Sequence, residues 1–306
     1  MSRPLETPAV SRRSATAALT GGLMTILYRP WCAWPQAKPL PGFSFVVVSD
    51  THLGRQDQEA AAKQWVKTAQ EIDATAGDFV LHLGDIVDGG REAQYPAYKE
   101  IRKSIRKPVH EIPGNHDPQE LFEKHIRKPV ELAFDHKGVR FLLINNSRTD
   151  SHDGFVNDKQ LGWLGDQCAD AAKKDLFLIL CAHVPVHDNK APDRGWYVKP
   201  KDGQTELYKL LDRQKDRVLA LFHGHFHNGI RGWDDRAPLQ EVVFPSALYN
   251  QDRKLADQKA PGFYLAEMRP GFVQATIEKG QMKLRYKPVG VAEAAEKTCP
   301  LPQLKS

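Results

Sequence analysis

Short apolar runs rich in β-branched residues recur along the chain and are typical of buried strands. Five of them precede residue 225, at Phe43–Val48, Phe79–Leu83, Val139–Ile144, Leu176–Cys181 and Val218–Phe222. Helical spacing of apolar residues lies between them, at about residues 57 to 75, 92 to 106, 158 to 172 and 204 to 214. This alternation of strands and helices predicts a layered α/β core.

The pattern changes after Gln240, where strand-like segments follow one another with only turn residues between them. These segments are Glu241–Phe244, Phe263–Met268, Phe272–Lys279 and Met282–Lys287. We expect them to pair antiparallel, because short turns join antiparallel neighbours. The predicted organisation is a leader over residues 1–37, a domain over 38–290 and a polar tail over 291–306.

Composition is ordinary for a globular protein, since 41% of the 306 residues are hydrophobic and 26% are charged. The formal net charge of +5 comes mostly from the leader, because residues 1–37 hold four of the 43 basic residues and one of the 38 acidic residues. The remainder carries +2. Net charge therefore gives no support for a nucleic-acid partner.

The leader places Ser11-Arg12-Arg13 before an uncharged stretch, Ser14–Tyr28, that is shorter than the roughly 20 apolar residues of a membrane span. This pattern resembles a twin-arginine signal, which predicts transfer through the export machinery to the bacterial periplasm without a stable membrane span. No small-x-small cleavage site stands at Ala33 or Ala37. The alternatives are a disordered basic terminus on a cytoplasmic protein and a membrane anchor.

Four cysteines occur, at positions 32, 168, 181 and 299, and none forms a Cys-x-x-Cys pair. The spacing therefore indicates neither a thiolate zinc site nor a dense disulfide framework. Cys181 lies inside an apolar run and is interpreted as a small buried side chain.

Polar clusters begin where the apolar strands end. They are Asp50-Thr51-His52, Gly84-Asp85, Gly114-Asn115-His116-Asp117, Ala182-His183 and Gly224-His225-Phe226-His227. Functional sites of open α/β sheets gather beyond the carboxyl ends of strands, so these five clusters could meet in one place. Their carboxylate, imidazole and amide groups suit hard or borderline metal ions. Each cluster alone is more often a capped turn or a solvated loop, but their coincidence favours a metal site.

The set of five motifs resembles the calcineurin-like metallophosphoesterase family and spans residues 50–227. The resemblance implies a four-layer α/β/β/α sandwich of two mixed sheets, which agrees with the α/β pattern. It also implies two divalent or trivalent ions, with iron, manganese or zinc as the candidates. The first ion would be held by Asp50, His52, Asp85 and His227, and the second by Asp85, Asn115, His183 and His225. His116 matches the catalytic histidine, and Asp117 the acid that orients it.

This resemblance implies hydrolysis of a phosphoester by a metal-bridging hydroxide, with His116 as general acid. Two ions roughly 3.5 to 4 Å apart can lower the pKa of a shared water and neutralise phosphoryl charge. The alternative from another class is a metal-bound binding module without catalysis. Such proteins usually lack some of these groups, and all are present in this chain.

The opening Asp50-x-His52 and the run from Gly84 to Asp88 resemble the class III cyclic nucleotide phosphodiesterase branch. The stretch Gly154–Asn157 with Gln160, Leu161 and Trp163 is similar to the same branch. We therefore expect a small-molecule phosphodiester, with a phosphomonoester as the alternative. The sequence identifies no particular ester.

Residues Pro185–Gly203 follow His183 and predict a flap over the metals, in which Arg194 and Trp196 select the substrate. A solvated loop is an equal alternative. We interpret Asp88 as a turn residue or a support for a ligand. Four further histidines fit no ligand position and are interpreted as structural or surface residues: His82, His110, His187 and His223.

Overall fold

The computed structural model of the protein describes residues 40–188, 195–227, 230, 239–249, 269–292 and 295–302. Its helices are α1 (Gln58–Ala74), α2 (Tyr95–Arg102), α3 (Gln119–His125), α4 (Asp158–Lys173) and α5 (Gln204–Asp212). Its strands are β1 (Phe43–Val48), β2 (Val80–His82), β3 (Val109–Glu111), β4 (Leu132–His136), β5 (Val139–Leu143), β6 (Phe177–Cys181), β7 (Val218–His223), β8 (Glu241–Val243), β9 (Gly271–Glu278), β10 (Gln281–Pro288) and β11 (Ala295–Pro300). The leader and the predicted strand Phe263–Met268 lie outside the described residues.

The strands form two mixed sheets. The first has the order β11-β10-β9-β1-β2-β3 and the second β4-β5-β6-β7-β8. Strands β1, β2 and β3 run parallel, as do β5 to β8, whereas β9, β10, β11 and β4 pair antiparallel with their neighbours. The predicted pair of mixed sheets is confirmed.

Strand β1 explains how the sheets stack. Its odd positions, Phe43, Phe45 and Val47, join a core that also contains residues of the second sheet. Val46 and Val48 point the opposite way, into a core shared with α1 and α2. Because side chains alternate along a strand, a strand buried on both faces is a continuous apolar run. The second sheet buries its outer face against α4 and α5, which completes the α/β/β/α order.

Local signals define the helix starts. Asp57 caps α1 by accepting hydrogen bonds from two backbone N–H groups of its first turn. Asn157 and Gln160 form a reciprocal capping box at α4. The Gln160 side chain also donates to the carbonyl of Asn145 at 2.5 Å, which ties the helix to the loop after β5.

The predicted antiparallel pairing of Glu241–Phe244 is wrong. This segment forms β8, which lies parallel to β7, with Leu221 opposite Glu241. All three residues of β8 are buried, as is usual for a parallel strand covered on both faces. The antiparallel prediction holds for β9 and β10.

The polar tail predicted over residues 291–306 is also corrected, because Ala295–Pro300 pairs with β10 as an edge strand. Ala295 packs against the core and Cys299 is buried, whereas Glu296 and Thr298 are exposed. Buried and exposed side chains alternate along this strand, but only two of them are apolar, so the sequence pattern did not predict a strand. Helix α3 and strand β4 also went unpredicted. Among the described helices, none is long and apolar enough to cross a membrane.

Candidate metal centre

The seven predicted ligands follow the carboxyl ends of parallel strands from both sheets. Asp50 and His52 follow β1, Asp85 follows β2, and the remaining four follow β3, β6 and β7. All seven are buried: Asp50, His52, Asp85, Asn115, His183, His225 and His227. The two stacked sheets thus deliver them to one edge, as the strand-end rule predicts.

Sharp backbone turns aim these side chains inward. Five of the seven residues have positive φ angles between 40° and 72°, and none of them is a glycine. They are Asp50, His52, Asp85, His225 and His227. Non-glycine residues adopt this left-handed region at a cost and persist there when surrounding structure holds them. The turns therefore store strain at the centre, which is typical of functional sites.

Two glycines leave room for the ligands. A Cβ atom on Gly114 would lie 2.2 Å from Oδ1 of Asp85, and one on Gly224 would lie 2.6 Å from Oδ2 of Asp50. Both distances are below any normal contact. Gly114 is thus required by its close approach to Asp85, and Gly224 by its close approach to Asp50 and to the Ser49 hydroxyl, which its Cβ would meet at 2.1 Å.

The first ligand group surrounds Asp50. Its Oδ1 lies 3.0 Å from Nε2 of His227, and that nitrogen lies 3.2 Å from Nε2 of His52. Nε2 of His52 is in turn 3.4 Å from Oδ2 of Asp85. One donor atom from each of these four residues lies within 4.8 Å of the others, close enough to hold one ion.

The second group shares Asp85 with the first. Its Oδ2 lies 3.3 Å from Nε2 of His183, and a donor atom of His225 lies within 4.8 Å of both. The other oxygen, Oδ1, accepts the backbone N–H of His116 at 2.8 Å. Oδ2 of Asp85 therefore faces both groups, which is the position of a bridging carboxylate.

Unpartnered polar atoms show that the centre fits a metal. Oδ1 of Asn115, Nε2 of His183 and Nε2 of His225 are buried and have no hydrogen-bond partner within the described parts of the chain. Nδ1 of His183 donates to the carbonyl of Leu83 at 2.7 Å, so Nε2 is the nitrogen that faces Oδ2 of Asp85. Burial lowers the pKa of His183, but Asp85 and Asp50 outweigh it and raise the pKa to about 9, so the site draws positive charge to Nε2. Buried lone pairs without donors are costly, and a metal ion satisfies them.

The charges are those of a cation site. Burial raises the pKa of Asp50, but the adjacent His227 and His183 outweigh it and hold the pKa at about 2. Burial likewise opposes ionisation of Asp85, whose pKa His183 nevertheless lowers well below 3.8. Both carboxylates remain ionised at neutral pH, and buried negative charge needs a nearby cation. Burial lowers the pKa of His225 well below its usual value, so this ring stays neutral and available as a ligand.

His116 lies at the rim, with 24% of its side chain exposed. Its Nδ1 accepts the backbone N–H of Gly89 at 3.0 Å and lies 3.4 Å from Oδ1 of Asp88. When the ring is neutral, Nδ1 can accept the N–H of Gly89. When Nδ1 carries a proton, it can donate to the Asp88 carboxylate. Nδ1 thus has a partner in both protonation states, which leaves Nε2 to face the cavities at the rim.

The prediction that Asp117 orients His116 does not hold in the structure. Asp117 is buried and accepts the backbone N–H groups of Ile86, Val87 and Gly114 at 2.9 to 3.1 Å. These bonds join the loop that carries Asp85 to the one that carries Asn115. Asp117 faces away from its sequence neighbour because the chain turns tightly from residue 114 to 117.

Asp88 takes the position expected of Asp117. Its Oδ1 contacts Nδ1 of His52 and a guanidinium nitrogen of Arg55, both at 3.1 Å, besides Nδ1 of His116. One donor atom from each of His52, Asp88 and His116 also lies within 4.8 Å of the others, as in a metal site. The Nδ1 contacts explain their proximity as hydrogen bonding, which agrees with the interpretation of Asp88 as a support.

Arg55 and Tyr249 border the first ligand group and went unpredicted. The Arg55 guanidinium lies 4.6 Å from the centre of the Tyr249 ring, and that ring lies 4.5 Å edge-on from His227. Burial raises the pKa of Tyr249 to about 12, so its hydroxyl remains a donor. Tyr249 follows β8, so the strand-end rule would have found it had β8 been predicted as parallel.

Trp196 and His152 border the second group. Their rings stack 4.2 Å apart at 19°, and the Trp196 ring lies 5.4 Å from His225. Trp196 thus lies against the predicted ligand His225, whereas Arg194 lies outside the described residues, so the flap stays a prediction. No sequence signal pointed to His152, which belongs to an exposed turn.

Two adjacent cavities open here. The metal pocket, of about 160 Å³, is lined by five of the seven predicted ligands, all but Asp50 and His183, and by Arg55, Trp196 and Tyr249. A cleft of about 480 Å³ lies beside it, between Gly89 and the turn Thr149–His152. Asn115, His116 and His152 line both cavities, so His116 stands at their junction.

The four histidines that were interpreted as structural or surface residues lie outside both ligand groups. His82 is buried with Nε2 3.2 Å from the Thr51 hydroxyl, and His223 lies between the Ala182 carbonyl and Glu241. His110 stacks on Phe134, and the backbone N–H of His187 donates to Glu241.

Known proteins resemble this chain. The profile of the calcineurin-like phosphoesterase family matches residues 43–229. The glycerophosphodiester phosphodiesterase GpdQ of Enterobacter lignolyticus is 28% identical over an alignment of 206 residues that covers 59% of this chain and 69% of that protein. A 3′,5′-cyclic-nucleotide phosphodiesterase of Nostoc sp. is 28% identical over 62% of this chain and 72% of its own length.

The fold is shared with a dimetal phosphatase from Danio rerio, with a TM-score of 0.65 at 15% identity over 86% of this chain and 99% of that one. The family profile covers more than half of the chain, and the predicted ligands converge as this family requires. The chain therefore belongs to the calcineurin-like phosphoesterase family and is a metal-dependent hydrolase of phosphoesters.

Proposed function

We propose that the protein hydrolyses a small-molecule phosphodiester at a two-metal centre. The observation that carries this proposal is Asp85, whose Oδ2 lies 3.4 Å from His52 and 3.3 Å from His183 and so faces both ligand groups. One ion would be held by Asp50, His52, Asp85 and His227, and the other by Asp85, Asn115, His183 and His225.

The donor set is compatible with iron, manganese and zinc, because it combines imidazole, carboxylate and amide oxygen without thiolate. Ions bound there supply a water of lowered pKa and neutralise the charge of the phosphoryl oxygens. The protein residues around them orient the ligands. Asp88 holds the His52 ring through Nδ1, and the Leu83 carbonyl holds that of His183.

His116 would act on the leaving group. In the protonated ring, Nδ1–H faces Asp88 and Nε2–H is free to donate. An alkoxide leaving group needs a proton as the phosphorus–oxygen bond breaks, and general acids typically contribute about 10²- to 10⁴-fold. After the transfer, Nδ1–H of the neutral ring still faces Asp88.

Two features support a diester over a monoester. The cleft beyond His116 offers room for a second ester group next to the metal pocket. Two relatives that are 28% identical to this chain are named as phosphodiesterases, one for glycerophosphodiesters and one for 3′,5′-cyclic nucleotides.

Metal analysis and a substrate panel test the proposal. We expect two equivalents of metal per chain, and faster hydrolysis of bis(p-nitrophenyl) phosphate, glycerophosphodiesters or 3′,5′-cyclic AMP than of the matching monoesters. Faster hydrolysis of monoesters would replace the diester assignment. Two bound metals without any hydrolysis would contradict the assigned reaction.

A pair of histidine variants tests His116. His116→Ala should keep both metals but lose about 10²- to 10⁴-fold in kcat on a diester with an alkoxide leaving group. His125→Ala is the matched control, because His125 has a similar exposure of 17% and contacts Glu92 instead of the centre. An unchanged rate for His116→Ala would remove this residue from the reaction.

We also propose that residues 1–37 direct export to the bacterial periplasm, since the paired arginines precede an uncharged stretch. Fusing residues 1–40 to a reporter should export it, and replacing Arg12 and Arg13 by lysine should stop this. A reporter that stays cytoplasmic would leave the leader as a basic terminus.

A further inference from the structure

We propose that the cleft beyond His116 binds the leaving alcohol and selects a small uncharged polyol. The cleft lies between Gly89 and the turn Thr149–His152. This inference rests on the proposed diesterase function and assigns the part of the substrate that departs.

The position of His116 decides which ester group enters the cleft. A general acid must lie next to the oxygen that it protonates, and His116 lines both the metal pocket and the cleft, together with Asn115 and His152. In an in-line displacement, the leaving group departs on the side opposite the attacking oxygen. A phosphoryl group in the metal pocket with its leaving oxygen at His116 therefore directs the rest of the alcohol into the cleft.

The cleft has the right size for such a group. Its volume of about 480 Å³ is three times that of the metal pocket, at about 160 Å³. Small-molecule sites span roughly 300 to 1,000 Å³. An alcohol of several heavy atoms fits, and the phosphoryl group has its own space.

The lining of the cleft favours hydroxyl groups over negative charge. Thr149 and Ser151 bring hydroxyls, and Asp150 brings a carboxylate whose pKa the paired Arg148 lowers. Among the described residues that line the cleft there is no lysine or arginine. A leaving group with its own phosphate would find no lysine or arginine in the lining, because Arg148 is already paired with Asp150, whereas a polyol can bond to both hydroxyls.

Local hydrogen bonds define the shape of the turn that carries these groups. Arg148 contacts Asp150 through two hydrogen bonds of 2.9 and 2.8 Å, and residues 148 and 151 form an antiparallel bridge. The backbone N–H of Asp153 donates to the Ser151 hydroxyl at 2.9 Å.

Gly89 forms the opposite wall. Its φ angle is +64°, and a Cβ atom built on it meets no atom within 4 Å, so a side chain there would enter open space. The missing side chain keeps the cleft free directly beside His116, to which Gly89 donates its N–H.

The reaction balances with water as the only co-substrate. The water oxygen forms the new bond to phosphorus, and the bond from phosphorus to the polyol oxygen breaks. Nε2 of His116 gives its proton to that oxygen, and the proton lost by the water restores His116. The products are a monoester, which stays in the metal pocket, and the free polyol in the cleft.

Three methyl phosphodiesters test the cleft: glyceryl methyl phosphate, propyl methyl phosphate and dimethyl phosphate. We expect the metal-loaded enzyme to release glycerol rather than methanol from the first, as followed by proton NMR. The kcat/KM for the glyceryl ester should exceed that for the propyl ester by about 10-fold, because the two differ only in hydroxyl groups that form hydrogen bonds.

Two variants separate the cleft from the metal centre. Gly89→Asn should lower the ratio of kcat/KM for the glyceryl ester to that for dimethyl phosphate by about 10-fold or more, since asparagine tolerates positive φ and fills the cleft. Gly280→Asn is the matched control, with φ of +73°, equally open surroundings and a position in the turn between β9 and β10. Thr149→Val should lower the ratio of glyceryl to propyl ester by about 2- to 10-fold.

The outcomes distinguish the two proposals. Absence of hydrolysis of any diester by the metal-loaded enzyme overturns the proposed function and this inference together. Hydrolysis with release of methanol, or equal losses on all three esters in a folded Gly89→Asn variant, overturns the cleft assignment and leaves the diesterase intact. Circular dichroism and metal content establish that each variant is folded and loaded.

Discussion

Replacing Asp88 by asparagine tests whether this residue, rather than Asp117, supports His116. The substitution keeps the shape of the side chain and removes its charge. Oδ1 of Asp88 contacts Nδ1 of His52 at 3.1 Å and Nδ1 of His116 at 3.4 Å, so both rings lose a charged partner. We expect separate effects on metal affinity and on proton transfer.

The magnitude follows from these two contacts. A hydrogen bond to a charged group contributes about 1.5 to 3 kcal/mol, which corresponds to a loss of about 10- to 150-fold in rate if it acts in the transition state. Loss of the contact to His52 should lower metal affinity by about 10- to 100-fold, as for other residues that orient a ligand. At saturating metal the loss of metal affinity has no effect, and only the loss in the rate of proton transfer remains.

The assay compares two diesters at saturating metal, one with an alkyl alkoxide and one with p-nitrophenolate as the leaving group. p-Nitrophenolate departs without a proton, so Asp88→Asn should slow only the alkyl ester strongly. The double variant with His116→Ala should lose little more than His116→Ala alone, because Asp88 acts through that ring.

Asp117→Asn is the control. Its oxygens accept three backbone N–H groups and the Tyr95 hydroxyl, so an amide NH₂ would leave buried donors unsatisfied at about 1 to 3 kcal/mol each. We expect a lower Tm with an unchanged ratio between the two diesters. A changed ratio in Asp117→Asn together with an unchanged ratio in Asp88→Asn would refute the assignment.

Three further predictions concern the centre and the core. Gly114→Ala should lower stability by about 1 to 3 kcal/mol and lose metal, because its Cβ would lie 2.2 Å from Oδ1 of Asp85; an unchanged melting curve and metal content would contradict this close approach. Dialysis against a chelator should abolish hydrolysis, and adding back manganese, zinc or iron should restore it; activity that survives complete metal removal would exclude the two-metal reaction. In a Cys32→Ser background, the native protein should resist a thiol reagent at pH 8, because burial raises the pKa of Cys168 to about 11 and the other two cysteines are also buried; three thiols should react after unfolding, and rapid native reaction would contradict this core.

The chain pattern predicted a layered α/β core and the location of the centre, and the family resemblance added the four-layer α/β/β/α arrangement. Buried parallel strands are continuous apolar runs, and their carboxyl ends share an edge of the sheet, so clusters such as Asp50-x-His52 and Gly224–His227 could be placed together from sequence. The residue types also indicated a metal, because imidazole and carboxylate are its usual ligands.

Strand direction was decided by tertiary packing. The segment Glu241–Val243 is apolar enough for either orientation, and only its contact with β7 makes it parallel. That orientation carries Tyr249 to the metal pocket. The C-terminal strand Ala295–Pro300 likewise depends on the exposed edge of β10, which a local pattern with two apolar residues cannot specify.

The direction of individual side chains was also decided by the fold. Asp117 follows His116 in sequence, but the tight turn from Gly114 sends its carboxylate to the backbone N–H groups of Ile86 and Val87. Asp88, 28 positions earlier, reaches the His116 ring. The sequence determined which chemical groups are available at the strand ends. The tertiary structure determined which of them meet, because the backbone angles of the turns direct the side chains and each buried carboxylate requires hydrogen-bond donors.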